Sequence, residues 1–213
     1  MELRRASLED ATCVAAIYRP YVEETPITFE VVAPGPEEMR ARIAAHIGHL
    51  PWLVACESDT VVGYAYAAPF GTRAAYAWSV ETSIYLDAAW RGRGIGRGLY
   101  APLLELLAAQ GFRQAIAGIA LPNPASVALH EAMGFAQVAT YHRVGWKLGA
   151  WHSVGRWQKG LGRSDDEAPD EPLALDALAD GLVDTVLSPV RTLSDDPREN
   201  PVQGRVPGLD KGP

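Results

Sequence analysis

The sequence predicts an α/β (α+β) domain built on one mixed sheet. Three stretches carry that expectation. Trp52–Cys56 and Val61–Ala67 are apolar, β-branched and aromatic runs around Glu57-Ser58-Asp59-Thr60, which reads as an antiparallel hairpin. Residues 75–119 read as strand, Gly-rich turn, helix and strand. Two further strand-like runs, Ala136–Trp146 and Ser153–Leu161, complete a pattern that fits a mixed sheet.

In chain order, Met1–Arg5 is extended and reads as an edge strand. Ser7 opens a helix whose Leu8, Ala11, Val14, Ala15 and Tyr18 fall on one side, and Ser7 with Asp10 three positions on resembles a capping box. Thr28–Val31 is a short extended piece, and Pro34-Gly35-Pro36 breaks the chain before a helix through Glu38, Arg42 and His46. Ala75–Leu86 is long for a strand and is expected to bend. After the Gly-rich turn, Leu99, Leu103, Leu106 and Leu107 recur at helical spacing. A strand over Arg113–Ile119 and a helix over Ser126–Met133, stopped by Gly134, follow.

A length of 213 residues with 48% hydrophobic content supports one well-buried domain and is short for two. Composition changes after residue 162. Arg163–Pro213 has no aromatic residue, holds 7 of the 16 prolines and sets 12 acidic residues against 5 basic ones, so it carries the whole formal charge of −7. The expected organisation is a folded domain over 1–162 and an acidic, Pro-rich, disordered tail over 163–213. Within the tail there is room for one short amphipathic helix near Leu173–Leu187, where Leu175, Leu178, Leu182, Val186 and Leu187 recur at helical spacing. Cys13 and Cys56 lack metal-ligand spacing and are expected to be buried, reduced side chains. The acidic residues of the first 25 positions are unlike a secretory signal, and no stretch of 18 apolar residues occurs. These features point to a cytoplasmic protein with no membrane partner, and a neutral body without a basic stripe argues against nucleic acid.

Residues 91–98 read Arg-Gly-Arg-Gly-Ile-Gly-Arg-Gly between a strand and a helix. Glycines there let the backbone approach an anion, while the free N–H groups of the first helical turn point at it. Arg91, Arg93 and Arg97 add fixed positive charge. A dinucleotide fingerprint fails by register, since Arg97 or Leu99 falls where its last glycine belongs, and the triphosphate loop's Gly-Lys-Ser/Thr is missing. Arg91-x-x-Gly94-x-Gly96 remains, and it resembles the pyrophosphate loop of the GNAT N-acetyltransferases. Asn123-x-x-Ser126, opening a helix that ends in Gly134-Phe135, is similar to a second motif of that superfamily. The resemblance implies a GNAT fold, a mixed, mostly antiparallel twisted sheet flanked by helices, with a splayed central strand pair binding acetyl-CoA as cosubstrate. On that reading Arg91, Gly92, Arg93, Gly94, Ile95, Gly96 and Arg97 hold the pyrophosphate and Gly98 serves helix packing. Asn123 and the backbones of Ile84, Tyr85 and Leu86 hold the pantetheine arm.

Acetyl transfer to an amine requires a base, and Glu81 is the only charged residue in the twelve-residue run Ala75–Leu86. It shares a strand face with Ala77, Ser79 and Ser83, while Trp78, Val80 and Ile84 share the other, so it is expected to line a groove floored by small residues. Desolvation in such a groove is expected to suit it to general-base work. Blocks such as Arg73-Ala74-Ala75-Tyr76-Ala77-Trp78-Ser79-Val80-Glu81, Leu121-Pro122-Asn123 and Trp151-His152-Ser153-Val154-Gly155 resemble the phosphinothricin N-acetyltransferases. That resemblance covers about residues 1–161. It implies acetylation of the α-amino group of phosphinothricin, methionine sulfoximine or a related amino acid. It implies a catalytic role for Glu81, acceptor contacts from Arg73, Tyr76 and Phe29, and a homodimer. It puts His130 where an imidazole can move a proton or orient the acceptor. His130-Glu131 is followed by Gly134 rather than a second histidine, so no zinc motif forms and no metal is expected. An acetyltransferase for protein N-termini or another amine, or a non-catalytic CoA-binding module, are the competing readings.

Overall fold

The computed structural model describes residues 1–162 and 170–188. Among these residues seven strands form one sheet: β1 Glu2–Arg5, β2 Trp52–Glu57, β3 Thr60–Pro69, β4 Ser79–Leu86, β5 Gln114–Leu121, β6 Ala136–Lys147 and β7 Ala150–Gly160. They lie in the order β1-β2-β3-β4-β5-β7-β6, antiparallel except where β4 meets β5. The β2–β3 hairpin closes through Ser58 and Asp59 at φ 46° and 66°, a left-handed pair that matches the twist of the strands it joins.

Among the described residues five helices accompany the sheet: α1 Ala11–Glu24, α2 Pro36–Ala44, α3 Ile95–Gln110, α4 Pro124–Ala132 and α5 Leu182–Leu187. The central strands are buried on both faces, and alternation deals their residues to two cores. Leu53, Ala55, Ala65, Val80, Ala115 and Ala117 meet α3 through Leu99, Leu103, Leu106 and Leu107. Trp52, Val54, Cys56 and Tyr64 meet α1 and α2 through Val14, Tyr18, Tyr21, Met39 and Ile43.

Three expectations are corrected. The run Ala75–Leu86 is not one bent strand: Ala74–Tyr76 forms a 3₁₀ turn and β4 starts at Ser79, because the alanine-rich half lacks the β-branched residues that favour a strand. The helix expected from Ser7 begins as a 3₁₀ turn over Leu8–Asp10 before α1. Asp10 is buried there, accepting from the Ser7 N–H at 2.7 Å and from both terminal nitrogens of Arg4 at 2.7 and 2.8 Å. Burial works against its charge, but the Arg4 and Ser7 hydrogen bonds outweigh it and hold the carboxyl below its usual range. Cys13 is exposed; Cys56 alone is buried, and both are free thiols.

The expected tail also changes. Residues 170–188 pack against the body, with Leu175 2% exposed and Val186 and Leu187 buried in the α3-side core. Buried Gln110 donates to the carbonyls of His49 and Leu173, both at 2.7 Å, and Leu175 N–H reaches the His49 carbonyl at 3.1 Å. Leu175, Val186 and Leu187 supply the apolar area that low aromatic content had argued against. The helix expected near Leu173–Leu187 is a 3₁₀ turn over Leu175–Ala177 followed by α5. Residues 163–169 and 189–213 of the expected tail lie outside the described residues.

Two stability outcomes follow from these contacts. Leu175→Ala is expected to cost about 2–4 kcal/mol in urea denaturation, and an unchanged midpoint would mean that 170–188 is not docked. Asp10→Ala is expected to cost about 2 kcal/mol at pH 7. Because the folded carboxyl titrates below its unfolded value, that contribution is complete above about pH 4 and disappears as pH falls through the folded value. Urea midpoints of wild type and variant should therefore converge as the pH is lowered below the ordinary carboxylate range.

Candidate active site

The parallel ladder between β4 and β5 is short. It pairs Ser79 with Gln114, Val80 with Ala115 and Glu81 with Ile116, and then the strands diverge. β4 stays attached to β3 as far as Leu86, and β5 to β7 as far as Leu121, so a fork opens beyond Glu81. Thr82, Ser83, Ile84 and Tyr85 line one side of it and Gly118, Ile119 and Ala120 the other. Asn123, Ser126 and His130 close it from α4, around a cavity of about 50 Å³ that Ile27 also borders. This is the splayed strand pair that the resemblance implied.

Backbone direction within the fork follows from one bond. Asp87 N–H donates to the Val62 carbonyl at 2.9 Å. Antiparallel alternation then turns the backbone of Tyr85 toward β3 and those of Ile84 and Leu86 toward the fork. The Tyr21 hydroxyl donates to the Leu86 carbonyl at 2.6 Å and accepts from its N–H at 3.2 Å. Of the three residues expected to offer backbone groups to a ligand, Ile84 is therefore the one left facing the fork. Tyr85 instead packs its ring among Tyr18, Tyr21 and Tyr64.

At the mouth, Gly92 and Gly94 adopt φ of 75° and 78°, and a Cβ on either would meet nothing within 4 Å. The glycine requirement is conformational there, and the turn leaves bare backbone in front of α3. Gly98 N–H bonds the Gly94 carbonyl at 3.0 Å, so the amides of Ile95, Gly96 and Arg97 precede the helical ladder and point outward with the helix dipole behind them. Arg91 lies over the Tyr21 ring at 4.8 Å and Arg93 over Trp90 at 4.7 Å, while Arg97 is exposed. Ile95 buries its side chain in the core and offers only its amide. The packing glycine is Gly96, not Gly98. A Cβ on Gly96 would sit 3.3 Å from Leu129 of α4, whereas one on Gly98 would meet nothing within 4 Å.

Asn123 caps α4, its Oδ1 accepting from Ser126 N–H at 3.2 Å. His130 is 3% exposed. Its Nδ1 lies 2.7 Å from the Ser126 carbonyl, which can only accept, so Nδ1 carries the proton and Nε2 accepts from the Tyr100 hydroxyl at 2.9 Å. Tyr100 in turn lies 2.5 Å from the Thr82 hydroxyl on β4. Burial pushes the imidazole pKa down against the opposing Ser126 bond, which keeps the ring neutral at pH 7. Both nitrogens are engaged within the protein, so His130 is held as a neutral link between α4, α3 and β4.

Glu81 is not the desolvated carboxylate expected of it. Its side chain is 38% exposed and paired with Arg156 of β7, whose own side chain is 30% exposed. Arg156 faces Gly118 in the β5–β7 register, and a Cβ on Gly118 would sit 3.0 Å from Arg156 Nη1. The bare shelf of Gly118 lets the guanidinium cross β5 and reach Glu81 on β4. Sequence reasoning missed Arg156, although its place opposite Gly118 on the face shared with Glu81 follows once the register is known.

The remaining residues are dispersed. Arg73 and Tyr76 line a separate cavity of about 540 Å³ with Leu50, Phe112 and Pro172–Ala174, and neither Glu81 nor Arg156 borders it. Tyr76 is 41% exposed and meets Phe70 edge-on. Phe29 packs over Gly145, where a Cβ would collide with its ring. Buried Lys147, also missed, holds that loop by donating to the Thr28 carbonyl at 2.7 Å, and burial lowers its pKa. Its neighbour Ile27 borders the fork. Among the described residues no group of three His, Cys, Asp or Glu could hold a metal, and no helix is long and apolar enough to cross a membrane.

Comparison with known proteins agrees with this geometry. Residues 3–153 match the acetyltransferase (GNAT) domain. The chain is 38% identical over 172 residues to a phosphinothricin N-acetyltransferase of Streptomyces viridochromogenes, covering 81% of this chain and 91% of that one. It is 30% identical over 172 residues to an L-methionine sulfoximine/L-methionine sulfone acetyltransferase of Salmonella typhimurium, covering 80% and 99%. Its fold superposes with a TM-score of 0.77, at 38% identity, on a GNAT-superfamily phosphinothricin acetyltransferase from Sinorhizobium meliloti solved in complex with AcCoA. That match covers 83% of this chain and 96% of that one. With a forked β4–β5 pair, a glycine loop opening α3 and these relatives along most of its length, the chain belongs to the GNAT acetyltransferase family and is an N-acetyltransferase.

Proposed function

We propose that this chain transfers the acetyl group of acetyl-CoA to the α-amino group of a small amino-acid-like acceptor, by direct transfer within a ternary complex. Phosphinothricin and methionine sulfoximine define the acceptor class, since relatives at 38% and 30% identity carry those names. The observation that carries the reading is a carboxylate, Glu81, standing at the junction of a fork whose other end opens on the glycine turn before α3.

The residues fit the donor. The amides of Ile95, Gly96 and Arg97, with the bare turn at Gly92 and Gly94 and the charges of Arg91, Arg93 and Arg97, suit a pyrophosphate. The backbone of Ile84 and the amide nitrogen of Asn123, whose oxygen is spent on the α4 cap, suit a pantetheine arm. When bound, acetyl-CoA supplies the acetyl group as a thioester, whose C–S bond breaks as the amine nitrogen bonds to the carbonyl carbon. Glu81 takes one proton from the acceptor's ammonium, directly or through water, and its partial exposure lets it return that proton to solvent. A second nitrogen-bound proton goes to the departing sulfur. His130, neutral and spent on Tyr100 and Ser126, serves as a positioning residue that fixes the fork's wall rather than as the base.

The proposed catalytic unit is residues 1–162, braced by 170–188, and its proposed location is the cytoplasm with no nucleic acid or membrane partner. A homodimer is proposed from the β6–β7 hairpin, where Val138, Tyr141, Val144, Trp146 and Trp151 are all more than half exposed. A second copy would cover this outer apolar strand.

Two outcomes test these readings. Thiol release from acetyl-CoA is expected with phosphinothricin and methionine sulfoximine and not with a control peptide, and Glu81→Gln is expected to lower kcat at pH 7 by about 10²-fold or more. Turnover unaffected by that change would remove Glu81 as the base. In sedimentation velocity the wild type should run as a dimer and Trp146→Glu as a folded monomer; a monomeric wild type would end the dimer proposal.

A further inference from the structure

The Glu81–Arg156 pair lies where the β4–β5 ladder ends, with Arg156 against Gly118, which is exposed and borders the fork cavity. A base that only removes a proton does not need a guanidinium beside it. An α-amino acid in water is a zwitterion, an ammonium and a carboxylate held on adjacent bonds. The enzyme offers the complementary couple, a carboxylate and a guanidinium, at one spot. We propose that Arg156 is the specificity-determining residue that grips the acceptor's α-carboxylate, releasing Glu81 to the acceptor's ammonium as the two ion pairs exchange partners.

Several features support the exchange, which rests on the acetyltransferase reading above. Both side chains are about one-third exposed, so the free pair is screened by water and weak, and giving it up for the acceptor costs little. The planar guanidinium can take a carboxylate through two parallel charge-assisted bonds. Arg156 reaches across β5 only because Gly118 has no side chain, and that shelf sets it beside the place where the amine must stand. Arg73, the other arginine considered for an acceptor anion, lines a cavity that neither member of the pair borders, so it is free to serve a more distant group of a longer acceptor. A site with a charged donor waiting for a carboxylate rejects an acceptor that lacks one, because the guanidinium is then left facing an uncharged group. Simple amines and peptide N-termini, which carry an amide in that place, would be excluded.

The test uses the full chain, acetyl-CoA, and two acceptors that differ only at that group: methionine sulfone and its α-carboxamide. The readout is the ratio of kcat/KM for acid over amide in wild type, Arg156→Gln and Arg156→Lys, with acetyl-CoA affinity and Tm measured alongside. Comparing ratios between variants cancels the different basicities of the two amines, and a loss of folding alone would lower both acceptors together. The expected result is that Arg156→Gln lowers the ratio at least 30-fold, mainly through KM for the acid, with Arg156→Lys restoring part of it and acetyl-CoA affinity unchanged. A ratio within 3-fold of wild type in Arg156→Gln overturns the assignment even if both rates fall. Absence of turnover by wild type with either acceptor, or with phosphinothricin, overturns the acetyltransferase reading and this inference with it. Brisk wild-type turnover with an unmoved ratio overturns the inference alone.

Discussion

The parallel ladder between β4 and β5 stops after Glu81 and Ile116, and the rest of the site depends on that interruption. Backbone N–H and C=O groups left without a neighbouring strand are costly unless something else bonds them. Tyr21 does so for Leu86, using one hydroxyl for both groups, and each strand is secured on its far side by an antiparallel partner. The fork is therefore held open from outside. Thr82, Tyr100 and His130 tie its β4 wall to α3 and α4 through buried hydrogen bonds, which fixes the width without presenting an ionised group to the interior.

Two chemistries are separated by this arrangement. The glycine turn that opens α3 lies at the mouth of the fork, where Arg91 and Arg93 rest on aromatic rings that hold their charge in place. The carboxylate and its guanidinium partner stand at the junction, on the α1-side face of the sheet. Gly96 lets α4 approach α3 closely, so the capped start of α4 and its Asn123 are brought against the same opening. One glycine sets a distance between helices, and another, Gly118, sets the path of an arginine.

Legibility differed by the range of the interaction. Gly92 and Gly94 and the strand face of Glu81 are local matters of φ and a period of two, and each was readable in a short window. Gly98 was misread for Gly96 because sequence does not say which side of α3 meets α4. The environment of Glu81 was misread for a similar reason: small residues on its own strand suggested a desolvating groove, while the charge that meets it lies on β7. Leu175, Val186 and Leu187 looked too few to order a charged segment. They do order it, because α3 and the loop at His49 supply the rest of the apolar surface and the hydrogen-bond partners.

By itself the sequence determined the order of the seven strands and of the longer helices, the loop that opens α3 and the acetyltransferase pattern it belongs to. These depend on spacing along the chain, where sterics and periodicity act over a few residues. Tertiary structure alone decided that Arg156 meets Glu81 from 75 positions away, that Tyr21 closes the backbone of Leu86 from 65 away, and that 170–188 docks. Such pairings depend on strand order and register, which are set when the two cores close and which no short window of sequence contains.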